Sequence, residues 1–124
     1  MFTRDKTFRF RNFKVYKDSK IFYRNINNIT KIFPKDCLYE LTSQLKRSAL
    51  SIVLNIAEGS AKESDKDFKR YLGNSLGSIN EVVACLDIAF ESKYVSNEVY
   101  LKLVDQAQGI AKQLGGFYKK LKNS

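Results

Sequence analysis

The chain has 124 residues, 44% apolar and 28% charged, which suits one soluble domain burying a single core and leaves no room for a second. One proline and six glycines exclude a Pro/Gly-rich linker or collagenous repeat. With no histidine the chain has no Ser-His or Cys-His pair, no common zinc site and no Glu-x-x-His di-iron motif, so it is not expected to be an enzyme or to hold a cofactor or metal.

The net charge of +9 points to a polyanionic partner, because a field of that sign concentrates phosphates at the surface. Its distribution is uneven. Residues 1–35 carry ten Lys/Arg against two acids, residues 36–111 eight against eleven, and residues 112–124 four against none. No run approaches the roughly 20 apolar residues of a membrane span, and the first residues lack the apolar stretch of a signal peptide, so a cytoplasmic protein that avoids the membrane is expected. Cys37 and Cys85 fall at no metal-ligand spacing and read as two reduced thiols.

Residues 1–12 form a basic, aromatic arm. The run Phe8-Arg-Phe-Arg-Asn-Phe13-Lys interleaves rings with cations. That alternation suits stacking on bases while pairing with phosphates, and it equally suits a tether whose phenylalanines dock on the body of the protein. Val15, Ser19, Phe22, Ile26, Ile29 and Phe33 then recur at threes and fours, which predicts a first helix over about residues 12–32, ended by Phe33-Pro34.

Asp36 is a candidate N-cap for a second helix with Leu38, Leu41, Leu45, Ala49, Ile52 and Ile56 on one face and Gly59 as its C′ residue. Between Ala49 and Ala57, Leu50, Val53 and Leu54 make the helix apolar nearly all round, which predicts contact with another subunit. Beside the apolar face runs a polar seam, Gln44, Arg47, Ser51, Asn55 and Glu58, for which Asn74, Ser78 and Glu81 of the next helix are matching partners. A hydrogen-bonded network fixing register or a subunit interface is the favoured reading of this seam over ligand binding.

Ser64-Asp-Lys-Asp67 reads as a cap opening a third helix with the stripe Phe68, Leu72, Leu76 or Ser75, Ile79, Val82 or Val83, Leu86 and Phe90. Capping also explains Glu63, Asp65 and Asp67 better than a Mg²⁺ site. Gly73 and Gly77 suit close helix packing in water. After a break at Lys93-Tyr-Val-Ser, Ser96 caps a fourth helix with the seam Tyr100, Leu103, Ala107, Ile110, Leu114, Phe117 and Leu121.

Four helices with short connections predict an all-α, up-down-up-down antiparallel four-helix bundle. In that topology Arg4, Lys6, Arg9, Arg11, Lys14 and Lys17 converge on one pole with Lys112, Lys119, Lys120 and Lys122. Lys62, Lys66, Lys69 and Arg70 join them.

Phe33-Pro34, Leu41-Thr-Ser-Gln-Leu-Lys-Arg-Ser-Ala, Ser51-Ile, Asn55-Ile-Ala-Glu-Gly59 and Phe68…Leu72…Gly77-Ser78…Glu81 resemble the bacterial four-helix-bundle proteins encoded in intervening sequences of 23S rRNA genes. The likeness runs from about Phe13 to Leu121. Relatives usually carry a proline after the Ser-Ile; Val53 stands here, which predicts a straighter second helix. The resemblance implies a homo-oligomeric ring, with five subunits the expected number, and a loose kinship with the nucleic-acid-binding accessory protein of diversity-generating retroelements. The expected role is RNA binding, associated with rRNA or its intervening sequences. The alternative is a ring-shaped scaffold that recruits a protein partner such as a reverse transcriptase or nuclease.

Overall fold

The computed structural model describes residues 7–35 and 39–121. Arg4, Lys6, Asp36, Cys37, Leu38 and Lys122, all singled out above, lie outside the described residues. A short 3-10 turn, Arg9–Asn12, leads into four helices: α1 (Lys14–Thr30), α2 (Tyr39–Ser60), α3 (Asp65–Glu91) and α4 (Asn97–Lys120). No strand occurs among the described residues.

The helix ends follow from local chemistry. Ser64 and Ser96 both have extended backbones and accept the N–H of the third residue beyond, Asp67 at 3.1 Å and Val99 at 3.2 Å, so both expected caps are present. At the other end of α3, Lys93 takes φ 65°, with Tyr94 N–H bonded to Ala89 O and Lys93 N–H to Phe90 O. That pair of bonds is the Schellman closure, made with a lysine where glycine is usual. The first helix starts later than its periodicity predicts, because Phe13 is extended and residue 12 belongs to the 3-10 turn.

Gly59 is not a C′ residue: α2 continues to Ser60 and no glycine has a positive φ. The glycine is required by packing instead. A Cβ there would stand 2.6 Å from Tyr71 Cβ and 3.0 Å from the Phe68 ring, so its hydrogen allows the last turn of α2 to meet the first turns of α3.

Helices pack in sequence, α1 on α2, α2 on α3, α3 on α4, and α4 closes back on α1. Each cross-contact pairs a rising number with a falling one. Ser51 meets Ser78 and Ile52 meets Ser75; Asp87 meets Tyr100 and Phe68 meets Phe117; Asp18 meets Gln113 and Asn25 meets Gln106. The bundle is therefore antiparallel, up-down-up-down. Each helix lends a stripe to one core, from Val15, Phe22 and Ile26 through Leu45, Ile52 and Ile56 to Leu72, Leu86 and Leu114. No helix among the described residues is long and apolar enough to cross a membrane.

In this frame α2 touches two neighbours, which widens its buried arc. Val53, expected to face another subunit, is only 6% exposed within one chain, whereas Leu50 and Leu54 are 38% and 53% exposed. The expected external apolar surface on α2 thus narrows to two leucines. Cys85 is buried in the core, where burial, and less so the Glu81 carboxylate, pushes its thiol above the ordinary value.

Gly59→Ala should lower the unfolding free energy in urea by about 1–3 kcal/mol through overpacking, whereas Gly109→Ala, whose Cβ would meet open space, should raise it by about 0.5–1 kcal/mol. Asp18, which accepts from Lys14 and Gln113, is held below its ordinary value of 3.8 chiefly by the Lys14 hydrogen bond, then by Gln113. A carboxyl lowered on folding stabilises the fold above its unfolded value, and that contribution disappears as pH falls through the lowered one. Thermal melts should accordingly show Asp18→Asn losing less melting temperature than the unsubstituted protein between about pH 6 and pH 3.

Candidate nucleic-acid interface

The antiparallel order brings the start of α1, the end of α2, the start of α3 and the end of α4 to one pole. Three rings hold them together. Phe13 lies 6.4 Å from Phe68, nearly parallel, and both meet Phe117 edge-on at 5.1 Å. Phe13 immediately precedes α1, and Phe68 and Phe117 are early and late apolar residues of α3 and α4, which is the signal in the sequence that could have located this cluster.

The arm docks on the cluster. Arg9 Nε donates to Ser60 O at 3.2 Å, while its guanidinium carbon lies 5.9 Å from the Phe13 centroid and 5.5 Å from that of Phe68. Phe10 meets Tyr16 edge-on at 4.8 Å. Arg9, expected as a phosphate contact, is therefore engaged within the chain, because the carbonyl at the end of α2 needs a donor and the rings favour a cation beside them. Phe10 and Phe13 follow the tether reading. Phe8 does not, and remains 60% exposed.

Several further cations lie around this cluster. Lys14, Lys112 and Lys120 rim a cleft of about 480 Å³ floored by Phe13 and Phe117. Gly116 opens it, since a Cβ there would meet nothing within 4 Å. A second hollow of about 780 Å³ lies between the arm and the α2–α3 link, with Arg9, Lys62, Glu63 and Asp65 among its lining. A third, of about 360 Å³, places Lys66, Lys69 and Arg70 around Tyr118.

Several of these cations are fixed by rings: Lys69 sits 4.5 Å from the Tyr118 centroid, Arg70 and Lys62 4.8 and 5.0 Å from that of Tyr71, and Arg11 5.1 Å from that of Phe8. Such contacts hold a charge in place without neutralising it. Among the described residues, Lys14 is partly offset by Asp18 at 2.7 Å and Arg70 by Asp67 at 3.7 Å. The latter pair, with Ser64 capping the Asp67 amide, accords with the capping reading of these acids. Lys17, Lys119 and Lys120 are exposed, the last two in the final turn of α4, where cations also complement the helix dipole.

The polar seam proves to be an internal α2–α3 ladder. Gln44 donates to the Glu81 carboxylate, Ser78 Oγ donates to Ser51 Oγ at 2.9 Å, and Asn74 reaches Asn55 Oδ1 at 3.5 Å. Asn55 Nδ2 also donates to Ser51 O at 2.9 Å. These rungs use the partners expected from the sequence and pin the register of two helices. Arg47 and Glu58 are exposed and stand outside the ladder. Outward of it, Leu50 and Leu54 on α2 and Ile88 on α3 are exposed, with Gly73 and Gly77 in open space.

No curated protein matches this sequence. One solved structure, described as a protein of unknown function from the S23 ribosomal protein family of Bacteroides thetaiotaomicron, is similar with a TM-score of 0.78 at 26% identity, over 86% of this chain and 99% of that one. The family of 23S rRNA-intervening sequence proteins matches residues 11–116, which take in all of α1, α2 and α3 and most of α4. The chain belongs to the 23S rRNA-intervening sequence protein family.

Proposed function

We propose that this protein is a non-enzymatic RNA-binding protein of the cytoplasm that works as a homo-oligomeric ring, five subunits being the expected number. The observation that carries the reading is the convergence of cations from three parts of the chain, the arm, the α2–α3 link and the end of α4, on one aromatic-floored pole. A polyanion with exposed rings of its own suits such a surface better than a compact acidic protein does. The family's connection with rRNA genes supports RNA as that polyanion.

Self-association has separate support on the side of the bundle. Leu50 and Leu54 are exposed on α2 and Ile88 further along α3, Gly73 and Gly77 leave room for a neighbouring helix to approach closely, and the polar seam is already paired. Arg11, Lys112, Lys119 and Lys120 lie at the pole, so subunits meeting through α2 and α3 would leave the pole open.

In filter binding to a structured rRNA fragment, affinity should fall steeply with salt. The combined substitution of Arg11, Lys112, Lys119 and Lys120 by Ala should flatten that slope by roughly one unit per lost phosphate contact. Lys93→Ala with Lys102→Ala, toward the opposite end, should leave it unchanged. An unaltered slope in the fourfold variant rejects the pole as the RNA surface. Separately, Leu54→Glu should reduce the mass seen by light scattering toward that of a 14.3 kDa single chain; an unaltered mass rejects the proposed subunit contact.

A further inference from the structure

Phe8 sits where neither packing nor backbone preference would place a phenylalanine. Its φ of 57° and ψ of 29° lie in the left-handed region, where a Cβ crowds the following carbonyl and where glycine or asparagine is usual. The residue nevertheless remains 60% exposed. Strain of this kind persists only where the surroundings impose it. Here they do: Arg9 is tied to Ser60 O, Phe10 is docked on Tyr16, and Arg11 N–H closes the 3-10 turn on Phe8 O at 3.1 Å.

The same turn lays the Arg11 guanidinium over one face of the Phe8 ring and sets Phe10 edge-on to it at 6.3 Å. Arg11 and Phe10 thus hold the ring in place while the residue stays largely open to solvent. A ring held open, backed by a cation and standing over a hollow with Lys62 on its wall, has the components of a base-stacking platform. Glu63 and Asp65 line the same hollow. They would repel a phosphate but can accept hydrogen bonds from the exocyclic amine of a base.

We infer that Phe8 is a stacking platform for one unpaired nucleobase of a bound RNA, with Arg11 behind the ring and Lys62 placed for the adjacent phosphate. This rests on the RNA-binding reading and specifies what that surface takes: a loop, bulge or end, whose bases are free to splay, in preference to continuous duplex. The cations flanking the ring argue against a second copy of this basic chain as its occupant.

The test is fluorescence anisotropy with two RNAs of equal length, a hairpin with an unpaired loop and a continuous duplex. Phe8→Ala should weaken hairpin binding roughly five- to hundred-fold, as expected for loss of one base–aromatic stack, while duplex binding stays unchanged. Phe8→Tyr should restore the hairpin preference, and the melting temperature and mass of the Phe8→Ala variant should match those of the unsubstituted protein. Equal losses on both RNAs, or a lowered melting temperature, would give the ring a structural role and overturn the inference. A changed oligomeric mass would assign the ring to a subunit contact and overturn it too. Hairpin binding intact in Phe8→Ala but weakened by the Lys112, Lys119 and Lys120 substitutions would reject the platform alone. Failure of the unsubstituted protein to bind either RNA would reject the RNA-binding reading and the platform with it.

Discussion

Gly59 and Phe68 make the contact on which the rest of the pole depends. A hydrogen in place of a side chain lets the last turn of α2 press against Tyr71 and Phe68, which brings the first turns of α3 in line with the α2 terminus. Phe68 then presents its ring to Phe13 and Phe117, and Arg9 closes over Phe13 and Phe68 while bonding the Ser60 carbonyl. Apolar burial and a satisfied helix end are obtained together. Because the start of α1 and the end of α4 are both anchored on this cluster, Lys14, Lys112 and Lys120 can rim one cleft although nearly a hundred positions separate the first from the second.

Away from the pole the chain divides its surfaces by chemistry. Between α2 and α3, serine and asparagine side chains make rungs in place of larger apolar contacts. Ser75 Oγ donates to the Ile52 carbonyl at 3.0 Å, bringing the two backbones close. The rungs specify register, since a shift by one position would take these side chains away from their present partners. With that seam paired internally, the outward face is left with Leu50, Leu54 and Ile88, and strong positive charge is concentrated at the end. The proposed self-association face and the proposed polyanion-binding end therefore share no residues.

Much of the fold was legible where the signal is local. Ser64 and Ser96 cap as their sequence context predicts, and the threes-and-fours spacing of Gln44, Ser51 and Asn55 with Asn74, Ser78 and Glu81 anticipates the ladder. Readings failed where the answer depends on a second helix. Gly59 looks like a terminator because a glycine near a helix end usually is one, yet its reason lies in Tyr71, twelve positions on. Val53 looks external because its stretch is apolar all round, but α2 has two neighbours and their combined coverage reaches it. The arm's alternation of rings and cations is compatible with docking and with stacking alike. Only tertiary structure separates Phe10 and Phe13, which dock, from Phe8, which does not.

The central claim is that RNA lies across the pole where the arm, the α2–α3 link and the end of α4 meet. Ultraviolet crosslinking of the protein to a structured RNA, followed by mass spectrometry of the nucleotide-bearing peptides, tests it most directly. Adducts are expected within residues 8–17, 62–71 and 112–120. Adducts confined to the opposite end, around Phe33, Tyr94 and the start of α4, or to the outward face of α2 and α3, would contradict it.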